Sequence, residues 1–511
     1  MNALDRTIGW LSPARALQRA QARRALAYYE GAKPSRQRAR RQDASAPDAL
    51  VGQGAAALRA HARFLERNHD LSRGALRVLV NNVVGPAGIG IEPQPRRADG
   101  SIHTEYAAAL REAWRDWQRR PEVTHRLNWP LAQRLMAYTW LRDGEVFAQQ
   151  LIGPVTALDH GTRVPYSLEL LEPDFIPLEF EDSARNIRQG IQRNAWGRPT
   201  GYWAHKTDPR ESMAYASTSN LKYIAAANML HVATLDRLHQ LRGVSEFSSV
   251  ITRIEDLKDY EESERIAAKV AASLTGYVKR NEPAGFQGAA PEPARDDAGN
   301  PLPRNLHLQA GVIIDTLQVG EEIGLIDSNR PNPNLISWRA GQLRAFSAGI
   351  GASSSSVSRD YNGTYSAQRQ ELVEQWVHYA VLTDEFTGML VQPVWENFVA
   401  AARLGGVVPV PRDVVPGTED DALFIGQSMP WIDPMKEANA WEKLCQAGFA
   451  SEPEVIRKRG GNPRDVLEQT ADWRRQAEER GLTFSSNAAN KAGAPAPQPA
   501  PPPEPDDDDQ K

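Results

Sequence analysis

The chain predicts an α+β fold interrupted by long helices, and three observations carry that expectation. Residues 51–245 alternate β-branched runs with amphipathic helical stretches. Residues 247–280 lack proline, hold one glycine, and space Ile251, Ile254, Leu257, Ile266, Val270 and Leu274 at three- and four-residue steps. Residues 366–404 and 431–482 return to helical periodicity. At 511 residues, 41% hydrophobic and 24% charged, the composition is that of an ordinary globular chain, with room for about three folding units.

The net charge of −4 argues against a generally basic nucleic-acid binder but leaves room for local basic patches or a negatively charged conduit. Cys445 is the sole cysteine, which excludes an intrachain disulfide or a cysteine zinc site and fits a reducing compartment. No apolar run reaches the ~18 residues a membrane-spanning helix needs. The opening MNALDRTIGWLSPARALQRAQARR lacks a signal peptide's apolar core. The expectation is a soluble, cytoplasmic-type protein with no membrane partner.

Residues 1–50 carry ten Lys/Arg against four acids and read as a basic arm. Residues 52–84 read as helix and then, through LRVLVNNVVG, as extended chain. GPAGIGIEP (85–93) ends in an alternating strand. Residues 104–120, with Trp114 and Trp117 three apart, and 130–141 read as helices. Asp143-Gly144 turns the second into the strand EVFAQQLI. PYSLELLEPDFIPLEF (165–180) is an acid-rich strand, GIQRNAWGRPTGYWAHK (190–206) a hairpin turning at Asn194–Pro199, and 230–249 a strand running into a loop.

The stretch 247–280 predicts one helix of about 30 residues, or ~45 Å, with an acid-rich polar face that includes Glu264. Residues 281–303 are a Pro/Gly-rich excursion, and LHLQAGVIIDTLQVGEEIGLID predicts short hairpin strands. Residues 333–349 form a shorter helix, followed by the Ser/Gly-rich GASSSSVSRDYNGTYS. The helix 366–404 contains Gly388 and Pro393, so a kink is expected there. Residues 405–430 are irregular. Ser451 with Glu454 forms a capping-box pattern, and Gly448 and Gly481 are C-cap candidates within 431–482. From about Ser485 the composition is that of a disordered tail.

Catalytic signatures are sparse. There is no GxxxxGK[ST] and no HExxH. GPAGIG leads into a strand, not a helix N-terminus, and Ser353–Ser356 lie in no nucleophile elbow. Glu169, Glu172 and Asp174 are the one carboxylate cluster that a metal-dependent hydrolase or nuclease would use. A monomeric adaptor with a helical arm is the other alternative.

Eight strings in order resemble the lambda-type family of tailed-bacteriophage portal proteins. They are RFLERNHDLSRGALRVLVNNVVG (63–85), LRDGEVF (141–147), LELLEPDFI (168–176), GIQRNAWGRPTGYW (190–203), HQLRGVSEF (239–247), LRAFSAGIGASSSSVSRDYNGTYSAQR (343–369), LVQPVWENFVAAARLGG (390–406), and the run from PWIDPMKEANAW to AGFASEPEVIRKRGGNPRDV (430–466). The resemblance spans roughly residues 50–480 and implies a portal fold: a mixed α/β wing, a long helical stem, a small β-rich clip, a channel loop and a helical crown. Mapped onto this chain, it implies a basic arm (1–50), wing (51–245), stem helix (246–281), clip (282–332), second stem helix (333–349), channel loop (350–368), long kinked wing helix with the following segment (369–430), crown (431–484) and tail (485–511).

It further implies a non-catalytic, cofactor-free dodecameric ring at one capsid vertex of the virion, assembled in the host cytoplasm. Double-stranded DNA passes through the ring, which docks the terminase large subunit, capsid and scaffold proteins and later the head–tail connector. On that resemblance Glu255, Asp259 and Glu262 face the channel from the stem, and Gly349, Gly351, Ser353, Ser356, Arg359, Asp360 and Tyr361 form a mobile channel loop. Asp296, Asp297, Glu321 and Glu322 become docking candidates in the clip, and Arg457, Lys458 and Arg459 face DNA from the crown.

Overall fold

The computed structural model describes residues 45–210, 220–272, 276–280, 298, 321–325, 334–430 and 433–482. The chain divides into two units, Met1–Leu50 and Val51–Lys511, and the sheets and the core belong to the second. The basic arm before residue 45, the tail after 482, and Asp296 and Asp297 lie outside the described residues.

Helices α1 (Pro47–Asn68) and α2 (Asp70–Val83) come first, with β1 (Gly90–Pro93) after them. The expected extended chain at LRVLVNNVVG is instead helical. Leu71, Ala75, Leu76, Leu79, Val80 and Val83 are all buried, so α2 is packed on most of its surface, and that burial outweighs the strand preference of its valines. Helices α3 (Thr104–Trp117) and α4 (Trp129–Asp143) start at side-chain caps, with His103 accepting from Tyr106 N and Asn128 from Leu131 N.

Strand β2 (Glu145–Ile152) lies between β3 (Tyr166–Leu171) and β8 (Met229–Ala233) in an antiparallel sheet of three. The chain between them forms a second antiparallel sheet, β4 (Ile187–Arg188), β5 (Ile191–Arg193), β6 (Pro199–His205) and β7 (Leu221–Ala225), in that order. The β5–β6 hairpin lies where its turn residues predict, and Asn194 Oδ1 accepts from Trp196 N and Arg198 N at 2.9 Å each. Phe147 and Leu171 of the first sheet and Ile191, Tyr202 and Ile224 of the second share one small core.

Helix α5 covers Ile251–Ala272, shorter at both ends than the expected 247–280. A 3-10 turn at Glu246–Ser249 precedes it, and β9 (Gly276–Arg280) follows. The strand wins there because Gly276 to Arg280 have a partner: β10 (Glu321–Leu325) pairs with them antiparallel. At 22 residues α5 is about 33 Å long. Helices α6 (Leu335–Gly349), α7 (Ser354–Ser358) and α8 (Tyr365–Phe386) follow. The kink expected near Gly388 and Pro393 is a π-helical turn at Thr387–Val391, which runs without interruption into α9 (Gln392–Leu404), with Pro393 at the second position of α9. β11 (Ala422–Ile425) pairs with β1, giving order to a stretch that reads as irregular. Three capped helices, α10 (Pro434–Gln446), α11 (Glu452–Lys458) and α12 (Pro463–Glu479), end the described chain.

The main core runs from α2 through α4 to α8 and α9. Its densest part is aromatic. Trp114 stacks on Trp117 at 4.6 Å between ring centres, and Trp395 and Phe398 of α9 meet Trp114 edge-on at 5.3 and 4.8 Å. Trp117 Nε1 donates to the Tyr166 carbonyl at 2.8 Å and Trp395 Nε1 to that of Asp420 at 2.7 Å.

Two glycines bring the turn after α4 against the segment before α5. Gly144 caps α4 in the left-handed region at φ 92°, and a Cβ there would strike the Val244 backbone. A Cβ on Gly243 would strike the Gly144 carbonyl. Gly144→Ala therefore adds left-handed strain of about 1–3 kcal/mol to a backbone clash. We expect a lower urea midpoint in its unfolding curve, with Gly153→Ala, whose Cβ meets nothing within 4 Å, as the control for strain alone.

Candidate channel elements and the charge network that holds them

The Glu145 carboxylate is fully buried and collects four donors. Arg242, itself 0% exposed, reaches it at 2.7 Å, Arg59 at 3.0 Å, His231 Nε2 at 3.0 Å and the Gly243 N–H at 3.0 Å. The rest of the Arg242 guanidinium donates to the carbonyls of Ile176 at 3.1 Å, Gln189 at 2.8 Å and Pro173 at 3.3 Å. Next to it, Arg63 binds Asp143 at 2.7 Å and Asp174 at 2.6 Å. Arg63, Asp143, Glu145, Asp174 and Arg242 come from four of the strings that carry the family resemblance, at 63–85, 141–147, 168–176 and 239–247.

Burial alone would raise the Glu145 carboxyl. Arg242 above all, with His231, outweighs it and holds that carboxyl well below the usual carboxylate range. Asp174 is likewise lowered against its burial, by Arg59 and Arg63.

The three carboxylates of the hydrolase alternative do not form a free cluster. Glu169 binds Lys222 at 2.8 Å. Glu172 binds Arg210 at 2.8 Å, and Asp174 is held by Arg63 at 2.6 Å with Arg59 at 3.5 Å. Each of the three is paired with a cation of the chain, so they belong to a structural ion network. No group of three or more metal-ligating side chains occurs among the described residues.

Helices α5 and α6 run antiparallel, with Arg253 donating to Gln342 at 2.6 Å, Tyr260 against Trp338 at 4.4 Å and Arg339 on Glu261 at 2.5 Å. Ile251, Ile254 and Leu257 are buried; Asp259 and Glu262 are exposed and Glu255 half-buried. Glu264, expected on the polar face, is 5% exposed. Past α5, the β9–β10 register places Glu321 opposite Arg280 and Glu322 opposite Lys279.

The segment after α6 is more ordered than its composition suggests. Ser353 caps α7 by accepting from Ser356 N at 3.1 Å, and Ser355 is held to α8 by the Glu371 carboxylate, with Oγ at 2.6 Å and N at 3.3 Å. The glycines serve close approach, contrary to the mobility expected of them. A Cβ on Gly349 would strike Val250, and one on Gly351, at φ 67°, would strike the His378 ring. Arg359 is the left-handed cap of α7 at φ 59°, and it, Asp360 and Tyr361 are exposed. Among the C-terminal candidates, Arg457 is committed to the buried Glu92 at 2.8 Å, tying α11 to β1. Lys458 pairs with Glu454 at 2.9 Å and lies 4.8 Å from the Trp441 ring. Arg459 is exposed.

Sequence reading missed the network, because arginine and glutamate distant in sequence announce no partnership. The clue available was that charged residues sit inside otherwise apolar strings, as Asp143 and Glu145 do in LRDGEVF.

Two outcomes test these contacts. Arg242→Met leaves a buried carboxylate short of its main cation and should cost about 3–5 kcal/mol of unfolding free energy. Glu145→Gln should also lower the urea midpoint at neutral pH. Because the folded-state Glu145 carboxyl titrates below the unfolded one, its contribution is present above about pH 4.3 and lost as pH falls below that. The acid limb of stability should therefore be shallower in Glu145→Gln than in the parent. Separately, Glu371→Ala frees Ser355 and should speed tryptic cleavage at Arg359 several-fold, read on a gel time course.

Residues 33–382 match the profile of phage portal proteins, lambda family. The chain is 23% identical over 463 residues to a probable portal protein of Halomonas phage phiHAP-1, covering 86% of this chain and 84% of that one. It is 21% identical over 335 residues to a portal protein of Escherichia phage N15, covering 60% and 62%. Among solved structures it is similar to a chain in the virion of a native gene transfer agent particle, with TM-score 0.42, 10% identity, and 80% and 94% of the two chains covered. A neck structure of the same native particle computed with C12 symmetry gives TM-score 0.39, 11% identity, and 79% and 94% coverage. With more than half of its length matched by the family profile, the chain belongs to the lambda family of phage portal proteins.

Proposed function

We propose that copies of this chain assemble into the dodecameric ring at one capsid vertex of a virion, the conduit through which double-stranded DNA is packaged and ejected. The observation that carries this reading is family membership over residues 33–382. The antiparallel pair α5 and α6, with the pinned segment Gly349–Thr364 at its base, agrees with it as a candidate channel wall and loop. In this reading 51–245 is the wing, 246–281 and 333–349 the stem, 282–332 the clip, 350–368 the channel loop and 431–484 the crown.

The physical logic is one of weak adhesion. A conduit must let DNA slide, and tight phosphate binding comes from many Lys/Arg contacts. Asp259 and Glu262, exposed on α5, supply a channel lining that repels phosphate, with Glu255 partly covered beside them. Exposed Arg359 is the cation of the loop segment and touches phosphate transiently or pairs with a neighbouring loop. In the crown, Arg457, Lys458 and Arg459 are the DNA-facing candidates, with Lys458 and Arg459 the more exposed and Arg457 bound to the buried Glu92. Glu321 and Glu322, with Asp296 and Asp297, are docking positions for the terminase large subunit and later the head–tail connector; capsid and scaffold proteins contact the wing. Assembly takes place in the host cytoplasm. The reading assigns the chain no catalytic role and no cofactor.

Electron microscopy of the purified protein, with mass measured in parallel, tests the reading. Rings with a central hole and the mass of a dodecamer are expected. A stable monomer or dimer at high concentration would overturn it in favour of an adaptor. Arg359→Ala is expected to leave fold and expression unchanged and to alter DNA retention or ring stability; no change in either would remove both roles assigned to Arg359.

A further inference from the structure

The outer face of α8 is apolar where a free helix would be polar. Val373, Val377 and Val381, each four residues from the next, are 43%, 65% and 50% exposed. Acids outnumber cations beside this stripe: Glu374, Asp384 and Glu385 are exposed, against Arg369 one turn before Val373. An exposed apolar stripe with acids beside it is unusual on a free monomer and marks an interaction site.

A second surface has the opposite character. On α4, Leu131 and Leu135 are 40% and 49% exposed, one turn apart, with Arg134 between them. Arg134 donates to the backbone carbonyls of Gly85 and Pro86, which carry no countercharge. Arg73 of α2 stands close by: its nearest carboxylate, Glu66, is 3.9 Å away and accepts from Tyr138 of α4 at 3.0 Å.

We propose that these two faces meet between neighbouring copies of the chain, the acid-rimmed valine stripe of α8 on one receiving the arginine-flanked Leu131–Leu135 face of α4 on the next. The proposal rests on the ring reading and deepens it by naming the surfaces. Apolar residues cover one another, and the rim charges are of opposite sign, which sets orientation and register. Two copies of the acidic stripe would repel, so like-to-like pairing is disfavoured. Joining two unlike patches head to tail is the heterologous arrangement from which a ring closes.

Cysteine pairing tests it in the full chain, with Cys445→Ser as the background. The double variant Val377→Cys/Leu135→Cys should convert the monomer band into a ladder of covalent multimers on mild oxidation. Either single variant should stay monomeric on a denaturing gel, and a mixture of the two singles, co-assembled, should stop at covalent dimers. Rings seen by electron microscopy without a ladder would overturn the pairing while leaving the ring intact. Covalent dimers from Val377→Cys alone would show the stripe meeting itself and would overturn it too. Absence of rings from the Cys445→Ser parent would instead remove the ring reading, and this proposal with it.

Discussion

The buried Glu145–Arg242 pair is the constraint on which the packing of the two antiparallel sheets depends. A carboxylate with no solvent exposure is tolerable only if its lone pairs are filled, and here a guanidinium, a second arginine, an imidazole and a backbone N–H fill them. Arg242 then spends its remaining N–H groups on three carbonyls of the 173–189 segment. One side chain thereby links the turn after α4, the end of β3, the loop before β5 and the approach to α5. The close packing of Gly144 on Gly243 lets the two segments come near enough for this to happen. Such a pair contributes specificity more than net stability, since a well-packed apolar replacement is often no less stable. It dictates which strand end meets which loop, and so the direction in which α5 leaves the sheets.

That direction matters because α5 and α6 leave and return together. Their contacts are mixed: buried Ile254 and Leu257 near the start of α5, then Tyr260 on Trp338 and Glu261 on Arg339 further along. A helix pair of this kind, with Ile266 at 55% and Ile336 at 81% exposure, is incompletely covered by its own chain. The segment returning from α6 is anchored at both ends, by Gly349 and Gly351 against Val250 and His378 and by Ser355 on Glu371. Its exposed tip, Arg359 to Tyr361, is displayed on a defined support, not trailing from a loose loop.

The same incompleteness recurs across the surface. A chain whose α8 exposes three valines in register, and whose α4 exposes two leucines, carries more apolar area than an isolated monomer needs. The acids near the first and the arginines near the second give each surface a sign. Charge of this kind adds little to affinity at a solvated rim but strongly disfavours the wrong pairing. In the ring proposed above that discrimination is needed, because one mispaired interface stops closure.

Much of the element order was legible along the chain. Periodicity and turn residues identified α3, α4, α6, the β5–β6 hairpin, the break between α8 and α9, and the C-terminal helices, since each is determined by neighbours within a few residues: Asn194 in a turn, Gly388 and Pro393 at a break, Ser451 as a cap. Eight ordered strings sufficed for the family. What tertiary structure decided were the outcomes that depend on distant partners. Burial on most sides made α2 a helix despite its valines, and pairing with 321–325 turned the end of the expected stem helix into a strand. Proximity also made Glu172 and Asp174 arginine partners, and Arg457 the partner of Glu92. The physical reason is common to all of them: periodicity reports how a residue sits on its own element, whereas an ion pair or a strand partner is set by what folding brings within about 3 Å of it.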